Sequence, residues 1–314
     1  MGDFAKLFNK VGGKEILRQY MQSHVLIFAL TETLQLGFSK KALEIVREAV
    51  TYKQTKRLRK KYQKILLEKK ETINTQLPRE SSGKIWICWF QGLEQAPDLV
   101  KKCYESMQTN IHDHEIVLIT EKNYKDYVTF PDYILEKYEK GLISNAHFSD
   151  LLRLELLIRY GGTWADATLY CSGGDIPSYI LDSDLFLFQC LKPGLDAHSI
   201  SISNWFITAR TNHPILLLTR DMLYHYWKHN DRVMNYFIFH IFFQLAIEQY
   251  PDEWKKVVPF SNSLPHILLL RVFDTYDPAV WEAIRQMTPL HKLTYKFDEE
   301  MTKKENTYYK HLFS

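Results

Sequence analysis

The chain has 314 residues, 46% of them hydrophobic and 25% charged, with a net charge of +3. That composition excludes wholesale disorder, and the length is enough for one large domain or two modest ones. Four cysteines, Cys88, Cys103, Cys171 and Cys190, contain no C-x-x-C pair, so neither a zinc site nor a disulfide framework is expected and a reduced, cytoplasmic setting fits.

The first residues, "MGDFAKLFNK", lack the long apolar core of a secretory signal, and Lys6 stands where a myristoylation motif needs Ser or Thr. Residues 1–78 read as an N-terminal helical region. "KEILRQYMQSHVLIFALTETLQLG" is expected as one helix ending at Gly37. A second starts at a Ser N-cap in "SKKALEIVREAV" and continues through "TYKQTKRLRKKYQKILLEKKE". Between 53 and 70 it carries nine Lys or Arg against one acid, Glu68, with Leu58, Tyr62, Ile65 and Leu66 as its apolar stripe. The face opposite that stripe is either simply solvated or drawn to anionic lipid headgroups. One aromatic and no recognition motif argue against nucleic acid as a partner.

"LPRESSGK" reads as a linker, and residues 79–314 as a second unit in which strands and helices alternate. "KIWICWF" and "HEIVLIT" are expected strands. "PDLVKKCYESMQTN" and "SNAHFSDLLRLELLIRYGG" are expected helices, and "TWADATLYC" is read as one strand. Such alternation implies a parallel-type sheet with helical crossovers. Further on, "DLFLFQCL" and "ISISNWFITAR" look like paired strands, "PILLLTRDMLYHYWK" and "RVMNYFIFHIFFQLAIEQY" like helices, and "HKLTYKFDEEMTKKENTYYKHLFS" like a surface-hugging tail. No run reaches the ~18 apolar residues of a spanning helix.

Asp150 and Arg153 are three apart on an otherwise apolar helix, so they share one face and must pair, reach a cleft, or both. Asp166 follows the Gly161-Gly162 pair at the end of the next strand, and strand ends are where ligands sit in open α/β sheets. A structural ion pair plus an exposed Asp166 is the plainer alternative. His240, inside an apolar helix, reads as a hydrogen-bonded core histidine.

The run "SDLLRLELLIRYGGTWADAT" resembles the core signature of sugar-nucleotide-dependent glycosyltransferases with a GT-A fold, in which an Asp-x-x-Arg helix leads into Gly-Gly-x-(Tyr/Trp)-x-Asp-x-Asp. It is similar in particular to the bacterial capsular polysaccharide synthesis glycosyltransferases, among them WciN-type galactosyl- or glucosyltransferases. These are related to the family 32 enzymes and, more remotely, to the glucosylating clostridial toxins. The resemblance implies an α/β GT-A fold, a Rossmann-like mixed sheet with helical crossovers, behind the N-terminal helices. It implies a retaining transfer of galactose or glucose from a UDP-hexose to a lipid-linked sugar acceptor, at the inner face of the cell membrane, in capsular repeat-unit synthesis. A toxin-like protein glycosyltransferase and a non-catalytic membrane scaffold are the alternatives.

Residue by residue, the resemblance puts Asp150, Arg153 and Asp166 in catalytic roles. The donor would be bound by these three with Trp89, Gln91, Gly92, Trp164, Ser203, Trp205, Lys292 and Lys296. A Mn²⁺ or Mg²⁺ ion would sit on Asp166, Thr168 and His291. Thr168 stands where the family has its second acid, and a hydroxyl is a poorer ligand than a carboxylate. With that acid gone, Lys292 and Lys296 gain importance as charge partners of the departing diphosphate.

Overall fold

The computed structural model describes residues 13–191 and 199–313. Helices α1 (Gly13–Gln22) and α2 (Leu26–Leu36) precede the long α3 (Lys40–Thr72). The single helix expected over the first two is broken at His24, which takes a φ of 53°. Arg57 of α3 fastens the break by donating to the carbonyls of Ser23 and His24. Ser39 caps α3 as its sequence foretells, accepting from the Ala42 amide at 3.1 Å.

Next come β1 (Lys84–Cys88), α4 (Asp98–Asn110), β2 (Glu115–Ile119), α5 (Asn145–Tyr160), β3 (Gly162–Asp166), β4 (Leu169–Cys171), β5 (Leu185–Gln189), β6 (Ile202–Ala209), α6 (Pro214–His229), α7 (Ile238–Gln249) and β7 (Leu290–Lys292). The main sheet has the order β2-β1-β3-β6-β5. β1 runs parallel to β2 and β3, whereas β6 is antiparallel to β3 and β5. The fold is therefore mixed α/β with the mixed sheet expected: the early alternation supplies its parallel part, β2-β1-β3, and β5 and β6 pair with each other as their sequences suggest.

"TWADATLYC" is two strands. β3 ends at Asp166, the chain turns at Ala167-Thr168, and β4 pairs antiparallel with β7 in a separate two-stranded sheet. The tail strand is consequently covered: Leu290 and His291 are fully buried. α7 begins only at Ile238, because Asn235 is held in the preceding turn by Gln54 and by the Phe237 amide.

α5 is buried along nearly its whole length, from Phe148 to Ile158. Its apolar side chains form one core with Trp86, Trp164, the α6 and α7 side chains, and Leu58, Tyr62 and Leu66 of α3. The stripe of the basic helix thus packs on the body, leaving Lys56, Lys60, Lys61 and Lys64 exposed. The "LPRESSGK" segment is pinned by Arg79, which donates to Glu253 at 2.8 Å and lies 3.5 Å from Asp184.

The α5–β3 turn explains its two glycines. Gly161 and Gly162 have φ of 66° and 91°, and a Cβ on them would come within 2.5 Å of the Glu80 carbonyl and 2.3 Å of the Lys84 carbonyl. Only glycine tolerates both the backbone sign and the close approach.

Candidate functional site

β1 and β3 are parallel with Cys88 beside Asp166, so both strands deliver their C-terminal ends to one edge of the sheet. Antiparallel β6 brings its first residues, Ser203 and Asn204, to that same edge, because Phe206 pairs with Ala165. Asp150, within the buried run of α5, meets them there by accepting from Asn204.

Two clefts meet at Asp166. One, of about 510 Å³, is lined by Trp89, Gln91, Gln95, Trp164, Thr168, Lys292, Tyr295 and Lys296. The other, of about 600 Å³, is lined by His147, Asp150, Arg153, Ser203, Asn204, Trp205, His240 and, at its rim, Arg47 and Glu48 of α3. Tyr236 and Asp166 border both.

Asp166 is the hinge of the charge pattern. Its Oδ1 accepts from Trp164 Nε1 at 3.0 Å and lies 3.5 Å from Arg153 Nη2. Its Oδ2 accepts from Lys292 Nζ at 3.1 Å, and the same ammonium donates to Thr168 Oγ1 at 2.6 Å. Burial works to raise the Asp166 carboxyl, but the Lys292 and Arg153 charges and the hydrogen bonds outweigh it and hold the group below the usual carboxylate range.

Asp150 and Arg153 form the ion pair their spacing suggests, 2.8 Å apart and both nearly buried. Asn204 Nδ2 donates to Asp150 at 2.9 Å, and the Arg153 guanidinium lies over the Trp164 ring, 4.9 Å from its centroid. The pair is structural and also faces a cleft. Arg153 Nε and Nη1 are buried and make no hydrogen bond of proper geometry, despite the close Asp150 oxygen.

They are not alone in this. Among the described residues, twelve buried side-chain polar atoms lack a hydrogen-bond partner, and five belong to cleft-lining residues: Trp89 Nε1, His147 Nδ1, His240 Nδ1 and the two Arg153 nitrogens. Buried polar atoms are rarely left unpaired, and these five face the two clefts with capacity for polar partners. His240 is accordingly not the satisfied core histidine that its helix suggested. Burial lowers it to about 4, so it is neutral at pH 7.

Most of the sequence-predicted residues converge. Trp89, Gln91, Trp164, Thr168, Lys292 and Lys296 line the first cleft. Asp150, Arg153, Ser203 and Trp205 line the second. Gly92 serves the turn after β1 with a φ of 81°. Trp205 gives most of its area to the core, stacked on Phe188 at 4.6 Å.

His291 does not converge. It neighbours Lys292 on β7, and alternation along a strand turns it to the opposite face. There its Nε2 meets Ser172 Oγ at 2.9 Å, the Trp281 ring flanks it, and burial pushes it down to about 3. The expected ligand trio of Asp166, Thr168 and His291 is thereby broken. Among the described residues no three His, Cys, Asp or Glu side chains cluster to hold a metal. The remaining carboxylate already faces two cations, and Thr168 faces one of them. These residues do not fit a resident divalent ion; Lys292 occupies the position between Asp166 and Thr168.

Sequence reasoning missed His147, Asn204, Tyr236 and Tyr295. His147 lies three residues before Asp150 on the same helical face, which is a usable signal. Tyr236 and Tyr295 stand in loops and carry none.

Comparison with known proteins bears on the whole chain. It is 25% identical over 162 residues to the O-glycosyltransferase PaGT of Phomopsis amygdali, a match covering 48% of this chain and 40% of that protein. The chain thus spans less than half the length of this curated relative. The structure is similar to that of PaToxG Glycosyltransferase at a TM-score of 0.37 and 15% identity, over 86% of this chain and 97% of that one. A family model matches residues 35–312, nearly the whole described chain, and on that match the protein belongs to the capsular polysaccharide synthesis protein family.

Proposed function

We propose that the protein is a GT-A-type glycosyltransferase that moves galactose or glucose from a UDP-hexose to a lipid-linked saccharide, with retention at the anomeric carbon. The observation that carries this reading is the set of unspent buried polar atoms on both sides of Asp166. A nucleotide sugar is a long polar ligand that needs partners in two adjoining clefts. The family assignment and the name of the fungal relative support the reaction class.

In this reading uracil lies against Trp89, whose ring meets Tyr295 edge-on at 5.3 Å. The diphosphate lies at Lys292 and Lys296. The hexose passes over Asp166, so that its hydroxyls reach Asp150 and Arg153. The acceptor enters the larger cleft from the Arg47–Glu48 rim. Asp150 and Asp166, the carboxylates nearest the hexose in this reading, are tied to Arg153 and Lys292, so the displacement is read as front-face. The acceptor oxygen bonds to the anomeric carbon as the bond from that carbon to the diphosphate oxygen breaks. The acceptor proton passes to the leaving phosphate on the same face. Lys292 neutralises the charge that builds there.

The exposed basic residues of 53–70 suit an anionic membrane surface, which supports a peripheral position at the inner membrane face. No helix among the described residues is long and apolar enough to cross a membrane.

The test is hydrolysis of a panel of UDP-sugars by the purified protein, with and without Mn²⁺, followed by lipid-linked and protein acceptors. Asp166→Ala should abolish turnover and leave the fold intact. Wild-type turnover in a folded Asp166→Ala protein would remove the site assignment, and no hydrolysis of any nucleotide sugar would remove the reaction class.

A further inference from the structure

α2 is turned the wrong way for a helix that faces water. Its buried side is Ala29, packed with Val25 on Val46 and Val50 of α3. Its outer side carries Ile27, Leu30 and Leu34, spaced as one stripe and 80%, 52% and 74% exposed. Leu17 and Met21 of α1 and Ile45 and Tyr52 of α3 are exposed as well. The helix contains no Lys or Arg and one acid, Glu32.

We propose that this outer face of α2 seats in a lipid bilayer with anionic headgroups. The occupant follows from charge. Residues 13–72 hold fourteen Lys or Arg against six Asp or Glu, a net +8, whereas residues 73–314 hold 24 against 30, a net −6. An apolar stripe on the strongly basic end of a dipolar molecule is complementary to an anionic membrane surface. A second copy of the chain docking by the same face would set +8 against +8. The geometry also gives the docking a use: α3, which carries α2 through Val46 and Val50, presents the intervening Arg47 and Glu48 to the larger cleft. A chain seated on the bilayer by α2 therefore holds that cleft's rim beside the lipid. This goes beyond attraction of the 53–70 lysines to headgroups, because it assigns an inserted apolar element. Only its use, not the docking itself, rests on the proposed function.

The test uses the full chain and vesicles of phosphatidylcholine with and without phosphatidylserine. Ile27→Gln, Leu30→Gln and Leu34→Gln together remove exposed apolar atoms and leave the core untouched. The triple variant should partition onto anionic vesicles on the order of tenfold less well, and the loss should persist at high salt, where headgroup attraction is screened. Separately, Leu30→Trp emission should shift to the blue on vesicle binding and be quenched by brominated acyl chains. Unchanged partitioning of the triple variant, or a Leu30→Trp signal that stays water-exposed on bound protein, overturns the proposal. So does a wild-type dimer in sedimentation that the triple variant converts to monomer. None of these readouts needs a substrate, so failure of the glycosyl-transfer reading and failure of this one remain distinguishable.

Discussion

Lys292 is the residue whose removal tests the site most sharply. Lys292→Met keeps the length of the side chain and deletes the ammonium that bridges Asp166 Oδ2 and Thr168 Oγ1. Breaking a buried ion pair commonly costs ~3–5 kcal/mol because a charge is left uncompensated. Here Arg153 stays 3.5 Å from Asp166, and the Trp164 indole still donates to it. The loss of stability should therefore be smaller, about 1–2 kcal/mol. A hydrogen bond to a charged group contributes ~1.5–3 kcal/mol, and if the diphosphate receives it only as the leaving bond breaks, kcat/KM falls ~10- to 150-fold. The assays are denaturant unfolding, UDP affinity by calorimetry and UDP-hexose hydrolysis on one preparation. If the ammonium stands where a divalent ion would, added Mn²⁺ should restore part of the variant's turnover and change the wild type less. Wild-type turnover in folded Lys292→Met would refute the clamp. A loss of turnover that merely tracks unfolding would refute it equally.

Asp150→Asn should keep UDP affinity near wild type while lowering UDP-hexose kcat/KM by on the order of tenfold, since the acid faces the sugar side; equal losses in both would show that it does not read the hexose. Replacing exposed Lys56, Lys60, Lys61 and Lys64 with Gln should weaken low-salt binding to anionic vesicles by ~1 kcal/mol per charge and spare hydrolysis; a parallel loss of hydrolysis would place the helix in the catalytic body. Arg57 is left alone because it fastens the α1–α2 break. Acid should destabilise the fold through His213 and His291, which burial pushes from 6.5 to about 3 each. The unfolded chain binds those protons more readily, so stability is full above about pH 6.5 and falls below it, by up to ~1.4 kcal/mol per pH unit for each histidine. A denaturation midpoint unchanged between about pH 7.5 and about pH 5 would mean that neither is buried as described.

What could be read from the sequence was local. α3 announced its Ser39 cap and its stripe, and α5 put Asp150 and Arg153 on one face by spacing alone. The reading failed where parity or pairing decides. His291 and Lys292 are adjacent, and which of them faces Asp166 depends on β7 pairing with β4, a partner more than a hundred residues away. The same pairing splits "TWADATLYC", since Leu169 to Cys171 leave the main sheet to meet Leu290 to Lys292. Asn204 reaches Asp150 only because β6 runs antiparallel, which the strand's own residues do not encode. His240 was misjudged because an apolar helix looks alike in sequence whether its histidine sits inside a core or on the wall of a cleft.

The two glycines of the α5–β3 turn, Gly161 and Gly162, sit five and four residues from Asp166, about 16 and 13 Å at ~3.3 Å each. At those distances they touch no substrate. Yet a methyl group on Gly162 would wedge β3 away from the Lys84 carbonyl at the root of β1, and the strand is the ruler that sets how far Asp166 protrudes at its other end. A random-mutation screen for inactive protein should therefore return Gly162→Ala or Gly162→Ser among its losses and tempt the experimenter to draw the active site twice as large as it is. The way to tell a displaced ruler from a missing contact is suppression. A misplaced Asp166 can be recovered by second-site changes that loosen residues 80–84, whereas no change there restores a deleted carboxylate.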